Sequence, residues 1–121
     1  MSIHGLGSSI THAWHGLITV FKSEQNFRLQ ILMVFVVTAL AIYFPLRVWE
    51  VILLILLMTL VLMMELLNTA IEYFADLLKP RLHHYVLVVK DIMAAAVLLI
   101  SLGSAIIGTI IFLPHFINLL K

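Results

Sequence analysis

The chain has 121 residues, of which 64% are hydrophobic and only 11% charged, with a mean hydropathy of +1.19. This excludes an ordinary soluble globular domain and places the chain among integral membrane proteins of a single domain. A net charge of +1 gives no reason to expect a nucleic-acid partner, and the lack of cysteine excludes disulfides and thiolate metal sites.

Met1 to Ser9 has no basic stretch ahead of an apolar core, so it does not read as a cleaved signal peptide. Leu6, Ile10, Trp14, Leu17 and Phe21 then recur at spacings of three or four, with His12, His15, Thr19 and Lys22 mostly off that stripe. The pattern predicts an amphipathic surface helix over about 5–22, with Trp14 suited to the membrane–water interface. His12 and His15 are spaced for a metal, but no third ligand is evident. Three longer apolar spans follow, at about 27–44, 49–78 and 92–112, bounded by Pro45, Pro80 and Pro114. A bilayer core needs about 20 residues of helix, so each is long enough to cross it. The connections, Pro45 to Arg47 and Lys79 to Val89, are short. The expected fold is therefore an all-α membrane protein, a surface helix followed by three transmembrane helices.

Loop charge sets the orientation. With three spans, the N-terminus and the 79–90 connection share one side, which holds Lys22, Arg28, Lys79, Arg81 and Lys90; the other side holds only Arg47 and Lys121. Positive charge stays inside, so the N-terminus is expected in the cytoplasm and the C-terminus outside.

The second span carries the chemistry. Val51 to Met64 has no charge, and then Glu65, Asn68, Glu72 and Asp76 fall on one face of a 3.6-residue helix. An ionisable group at membrane depth costs at least a few kcal/mol, so such a stripe suggests a site. The topology brings Glu24, Lys90 and Asp91 to the same membrane face. Glu24 and Glu72 are hard oxygen donors suited to Mg²⁺ with substrate phosphates completing its shell. Lys90 is a point charge that could hold a phosphate. Glu65 lies deepest, about 10 Å from Glu72 at 1.5 Å per residue. A base at that depth implies a hydroxyl at that depth, hence a lipid acceptor. The set fits phosphoryl transfer from a cytoplasmic nucleotide to a membrane alcohol. Neither the P-loop nor the glycine-rich kinase loop is present. Taken singly, Glu72, Asp76 and Lys90 read equally well as interfacial charges, Asn68 as a helix–helix hydrogen bond, and His83 and His84 as interfacial loop residues. Ala94, Ser101 and Gly108 make a small-residue stripe where helices can approach closely.

These residues resemble the small bacterial diacylglycerol kinase family, which includes the undecaprenol kinases. The resemblance is carried by Glu24-Gln25-Asn26-Phe27-Arg28, by Glu65-Leu66-Leu67-Asn68-Thr69-Ala70-Ile71-Glu72 with Asp76 four residues on, and by Lys90-Asp91 ahead of Ala94-Ala95-Ala96. It implies a homotrimer in the bacterial cytoplasmic membrane, phosphorylating undecaprenol or diacylglycerol from ATP with Mg²⁺. It implies Glu65 as catalytic base, Glu24 and Glu72 as metal ligands, and Glu24, Glu72, Asn68, His83, Lys90 and Asp91 around the nucleotide. Substrate contacts are expected at Glu65, Arg28, Asn26 and Ala94. Gly5 stands where the family often has a basic residue contacting ATP. The Lys22 to Arg28 run and the Ile107 to Pro114 ending look more like the undecaprenol kinases, and the Ala94-Ala95-Ala96 run slightly more like the diacylglycerol branch; the balance leans to undecaprenol. The competing reading is a small proton-coupled transporter or channel subunit using Glu65 and Glu72 as a relay. Against it, the acidic groups gather at one face, and the first and third spans carry no polar path across.

The loop charges generate a direct test. A reporter fused after Lys121 is expected to read as extracytoplasmic, and a cytoplasmic reading would require an even number of spans.

Overall fold

The structure is a computed structural model and describes residues 3–121. These residues form four helices: α1 (Ile3–Ser23), α2 (Gln25–Tyr43), α3 (Val48–Asp76) and α4 (His83–Leu120). The last three are each long and apolar enough to cross a membrane. At 1.5 Å per residue, α2 is about 28 Å long, α3 about 44 Å and α4 about 57 Å. A hydrocarbon core is about 30 Å thick, so α2 just spans it while α3 and α4 overrun it.

Local chemistry sets the breaks. Between α1 and α2 only Glu24 leaves helical geometry, with φ −118° and ψ 113°. The Arg28 guanidinium folds back over this elbow and donates from Nη1 to the carbonyls of Phe21 (2.7 Å) and Lys22 (3.0 Å). Those carbonyls lack helical partners, and a cation there complements the negative end of the α1 dipole. Between α2 and α3, Phe44 is extended as the residue before Pro45 must be. Glu50 then caps α3, its Oε1 accepting the Arg47 backbone N–H at 2.9 Å.

The third long helix differs from expectation at both ends. It starts at His83, because nothing between Pro80 and Asp91 breaks a helix, so the connection shrinks to residues 77–82. It also runs through Pro114 to Leu120 instead of stopping there. A proline removes one backbone donor, here the partner of the Ile110 carbonyl, but the apolar residues on either side resume the ladder.

Packing is strongest between α3 and α4; α2 packs on α3, and α1 reaches both α2 and α3. The small apolar core lies at one end, where Phe44, Leu54, Ile111 and Phe112 cluster with Leu40, Leu46 and Ile107 around them. The Phe44 ring meets Phe112 at 6.3 Å and Phe116 at 5.0 Å between centroids, tying the α2–α3 turn to the end of α4. Above this clasp α2 and α4 diverge, leaving a groove of about 600 Å³ with Val37 and Leu40, Leu57 and Val61, and Ala105 and Gly108 among its walls. The stripe Leu6, Ile10, Trp14, Leu17 and Phe21 on α1 is exposed, as are Phe35, Ile55, Leu99 and Ile110 on the long helices. In a membrane such surfaces are covered by lipid or by other copies of the chain. Beside Leu17 of that stripe, α1 turns Ala13, Gly16 and Val20 toward Leu66, Thr69 and Ala70 of α3 across a shared hollow.

The Glu50 cap predicts a measurable loss. Glu50→Ala leaves the Arg47 amide without its partner and is expected to lower stability by about 0.5–2 kcal/mol. Reversible unfolding in mixed detergent micelles would show this as a shifted midpoint.

Candidate functional site

The polar stripe of α3 grades from buried to exposed along its length. Glu65 is 1% exposed, Thr69 2% and Asn68 9%; Glu72 is half-buried and Asp76 is exposed. Among the described residues, the polar residues buried as a whole are Glu65, Asn68 and Thr69, all on this one stretch of α3. The Thr69 hydroxyl donates to the Glu65 carbonyl at 3.0 Å, so it needs no partner beyond its own helix. Asn68 Nδ2 donates to Glu72 Oε1 at 3.4 Å, while its Oδ1 is buried without a donor.

Glu65 is met from α2. Gln30 Nε2 donates to Glu65 Oε2 at 3.4 Å. Glu24 and Glu72 are both near enough for their charges to repel that of Glu65. Three carboxylates from the α1–α2 elbow and α3 therefore gather at one end of the bundle. This arrangement repels itself unless a cation or a proton is shared among them.

The other charges lie at the mouth. Lys90 Nζ of α4 bonds Asp76 Oδ1 at 2.7 Å, and Lys79 stands 3.8 Å from the same oxygen. Asp76, expected as a fourth member of the stripe, thus tethers Lys90 across the α3–α4 connection. Lys90 also lies within reach of the Glu72 charge. Asp91 is exposed beside it, and His83 is exposed at the first turn of α4. Asn26 and Ala94 are exposed on α2 and α4. Arg28 is turned onto the α1 carbonyls, where it holds the elbow and so fixes the position of Glu24.

No group of three or more His, Asp or Glu side chains among the described residues could hold a metal by itself. His12 and His15 are exposed and gain no third ligand. Two half-buried carboxylates, Glu24 and Glu72, suit the smaller demand of Mg²⁺, which takes one or two carboxylates and fills its octahedron with phosphate oxygens and water. The donor set therefore fits that ion in the company of a nucleotide.

Gln30 is a site residue that the spacing of charges does not reveal. It does leave a signal, as the one amide in a stretch from Leu29 to Phe44 that also holds Thr38 but is otherwise apolar in character. The sequence gives no sign that this amide comes to Glu65, 35 positions away.

Comparison with known proteins gives consistent matches. The family described as prokaryotic diacylglycerol kinase matches residues 11–112. A diacylglycerol kinase from a Synechocystis species is 34% identical over 113 residues, covering 93% of this chain and 65% of that protein. An undecaprenol kinase from Bacillus subtilis is 34% identical over 106 residues, covering 88% of this chain and 86% of that one. The chain thus spans just under two thirds of the length of the first relative and most of the second.

The buried carboxylate generates a stability test. Glu65→Gln is nearly isosteric, can still pair with Gln30 and removes a charge that its neighbours repel. Its melting temperature in detergent is expected at or above that of the wild type. A clear drop would mean that the negative charge of Glu65 holds the fold.

Proposed function

The chain belongs to the prokaryotic diacylglycerol kinase family, and from that premise we propose that it transfers the γ-phosphoryl group of ATP to the hydroxyl of a membrane lipid alcohol. The observation that carries this reading is the burial of Glu65 one turn beyond Val61, at the end of an apolar groove and about 10 Å from the more exposed Glu72. A carboxylate there serves an acceptor that arrives through hydrocarbon, while the nucleotide meets charges at the mouth. Glu65 takes the hydroxyl proton as the alcohol oxygen forms its bond to the phosphorus and ADP departs. Lys90, released in part from Asp76, offers its ammonium to phosphate oxygens. Asp91, Asn68 and His83 complete the nucleotide side.

Glu24 and Glu72 would hold Mg²⁺, whose chemistry is to offset the charge on the transferring phosphoryl group. Undecaprenol is the preferred acceptor in this reading. Its support is the greater share of the Bacillus undecaprenol kinase that the chain spans, together with the Lys22 to Arg28 run. The N-terminus lies in the cytoplasm, α1 rests on the inner face of the membrane with Leu6, Ile10 and Trp14 toward lipid, and the chain acts as a homotrimer. The trimer is supported by the half-buried Glu24 and Glu72, which one chain covers poorly, and by the exposed apolar faces of α2 to α4.

Purified protein in detergent with Mg-ATP and either undecaprenol or diacylglycerol tests the reading by detection of the phosphorylated lipid; no product from either alcohol overturns it. Glu65→Gln is expected to lower kcat by about 10²- to 10⁴-fold with the KM for ATP little changed. A strong rise in that KM with kcat intact would move Glu65 to the nucleotide side. Glu72→Gln is expected to nearly abolish turnover, and added Mg²⁺ is expected to restore part of it. Full activity in Glu72→Gln at ordinary Mg²⁺ would remove Glu72 from the metal shell.

A further inference from the structure

Gln30 belongs to two places at once. It lines the upper end of the groove between α2, α3 and α4, and it also bonds Glu65. Glu65 itself does not line the groove and is 1% exposed, so the groove reaches the carboxylate by way of the Gln30 amide. The amide orientation is set by chemistry. A carboxylate accepts and cannot donate, so the NH₂ group must face Glu65 and the oxygen must face away. That oxygen, Oε1, is buried and has no hydrogen-bond partner.

A buried acceptor of this kind calls for a donor, and buried polar groups in native proteins are nearly always satisfied. The groove walls supply none. Thr109, which also lines it, gives its hydroxyl to the Ala105 carbonyl of its own helix at 2.7 Å. Ser104 Oγ is itself buried without a partner, so it does not serve Gln30. Apart from Ser101, the remaining walls are apolar. A partner that arrives along this groove carries a hydroxyl on an apolar body. Ionised phosphate oxygens are acceptors and would not meet the need.

We infer that Gln30 receives the acceptor alcohol: its Nε2 holds Glu65 in place, and its Oε1 takes the hydrogen bond of the incoming lipid hydroxyl. The inference rests on the lipid-kinase reading above and adds a residue that selects and positions the acceptor. The amide oxygen holds the hydroxyl on the groove side of Gln30, and the hydroxyl moves past the amide to Glu65 before its proton is transferred. Lipids without a hydroxyl enter the groove but find nothing to bind at its end.

The test uses the full-length protein in detergent with Mg-ATP and lipid alcohol. Gln30→Met keeps the length of the side chain and removes both strong hydrogen-bonding groups. It is expected to lower kcat/KM for the lipid alcohol by about 10- to 100-fold, while the KM for ATP stays within about twofold of wild type. Gln30→His restores a donor and an acceptor and is expected to recover activity to within about tenfold of wild type. Wild-type turnover by Gln30→Met, or an equal rise in the KM values for lipid and ATP, overturns the assignment. Should Gln30→Met fail to fold, Gln30→His decides alone: recovery to within about tenfold supports the role, and a larger loss overturns it. Wild-type protein that phosphorylates neither alcohol removes the kinase reading and this inference with it. A wild type that is active beside an equally active Gln30→Met removes this inference only.

Discussion

The need to keep one carboxylate out of hydrocarbon organises this molecule. Glu65 follows fourteen uncharged residues on α3 and cannot be left facing lipid. The chain covers it from above with α1 and α2, supplies one amide hydrogen bond, and leaves it almost wholly buried. Phe27 at the elbow and Val86 in the first turns of α4, 1% and 2% exposed, are the most deeply buried apolar side chains among the described residues, and both belong to this charged end. Burial of a charge without full compensation is unfavourable for folding, so its presence marks a use other than stability.

A second constraint acts at the opposite end. Phe44 packs against Phe112 and Phe116, and that clasp holds α2 to the end of α4. Between the clasp and Gln30 the two helices make no close approach. The result is a wedge with a firm base, a polar apex and an apolar groove open between them. Small residues on α4, among them Ser101, Ala105 and Gly108, leave this space, because longer side chains there would fill it. Packing and cavity are thus two outcomes of one arrangement of ring sizes and small residues.

Charges at the apex are held by helix ends. Arg28 closes the elbow between α1 and α2, and Glu24 is the one residue that departs from helix there. Asp76 ends α3 and pairs with Lys90 across the turn. Because the connection between α3 and α4 is only residues 77–82, Lys90 reaches back along α4 to a position opposite Glu72. α3 and α4 are longer than a hydrocarbon core is thick, so part of each lies outside it.

Much of this is legible in the residues themselves. Hydropathy alone yields three spanning helices, since a backbone in lipid must satisfy its own hydrogen bonds and helices do so locally. The spacing of Glu65, Asn68 and Glu72 yields a polar face, because the 3.6-residue repeat is fixed by backbone geometry. Prolines are a poorer guide. Pro45 does mark a break, reinforced by the extended Phe44 and the Glu50 cap, whereas Pro114 sits inside a continuous helix. Whether one lost hydrogen bond ends a helix depends on the residues beyond it, and those after Pro114 continue the ladder. Tertiary structure alone decided three matters. It brought Gln30 to Glu65 across 35 positions, gave Asp76 to Lys90 instead of to the stripe, and turned Arg28 onto the α1 carbonyls. Each depends on the angle at which two helices meet, and that angle is set by the summed packing of many side chains, which no local spacing records.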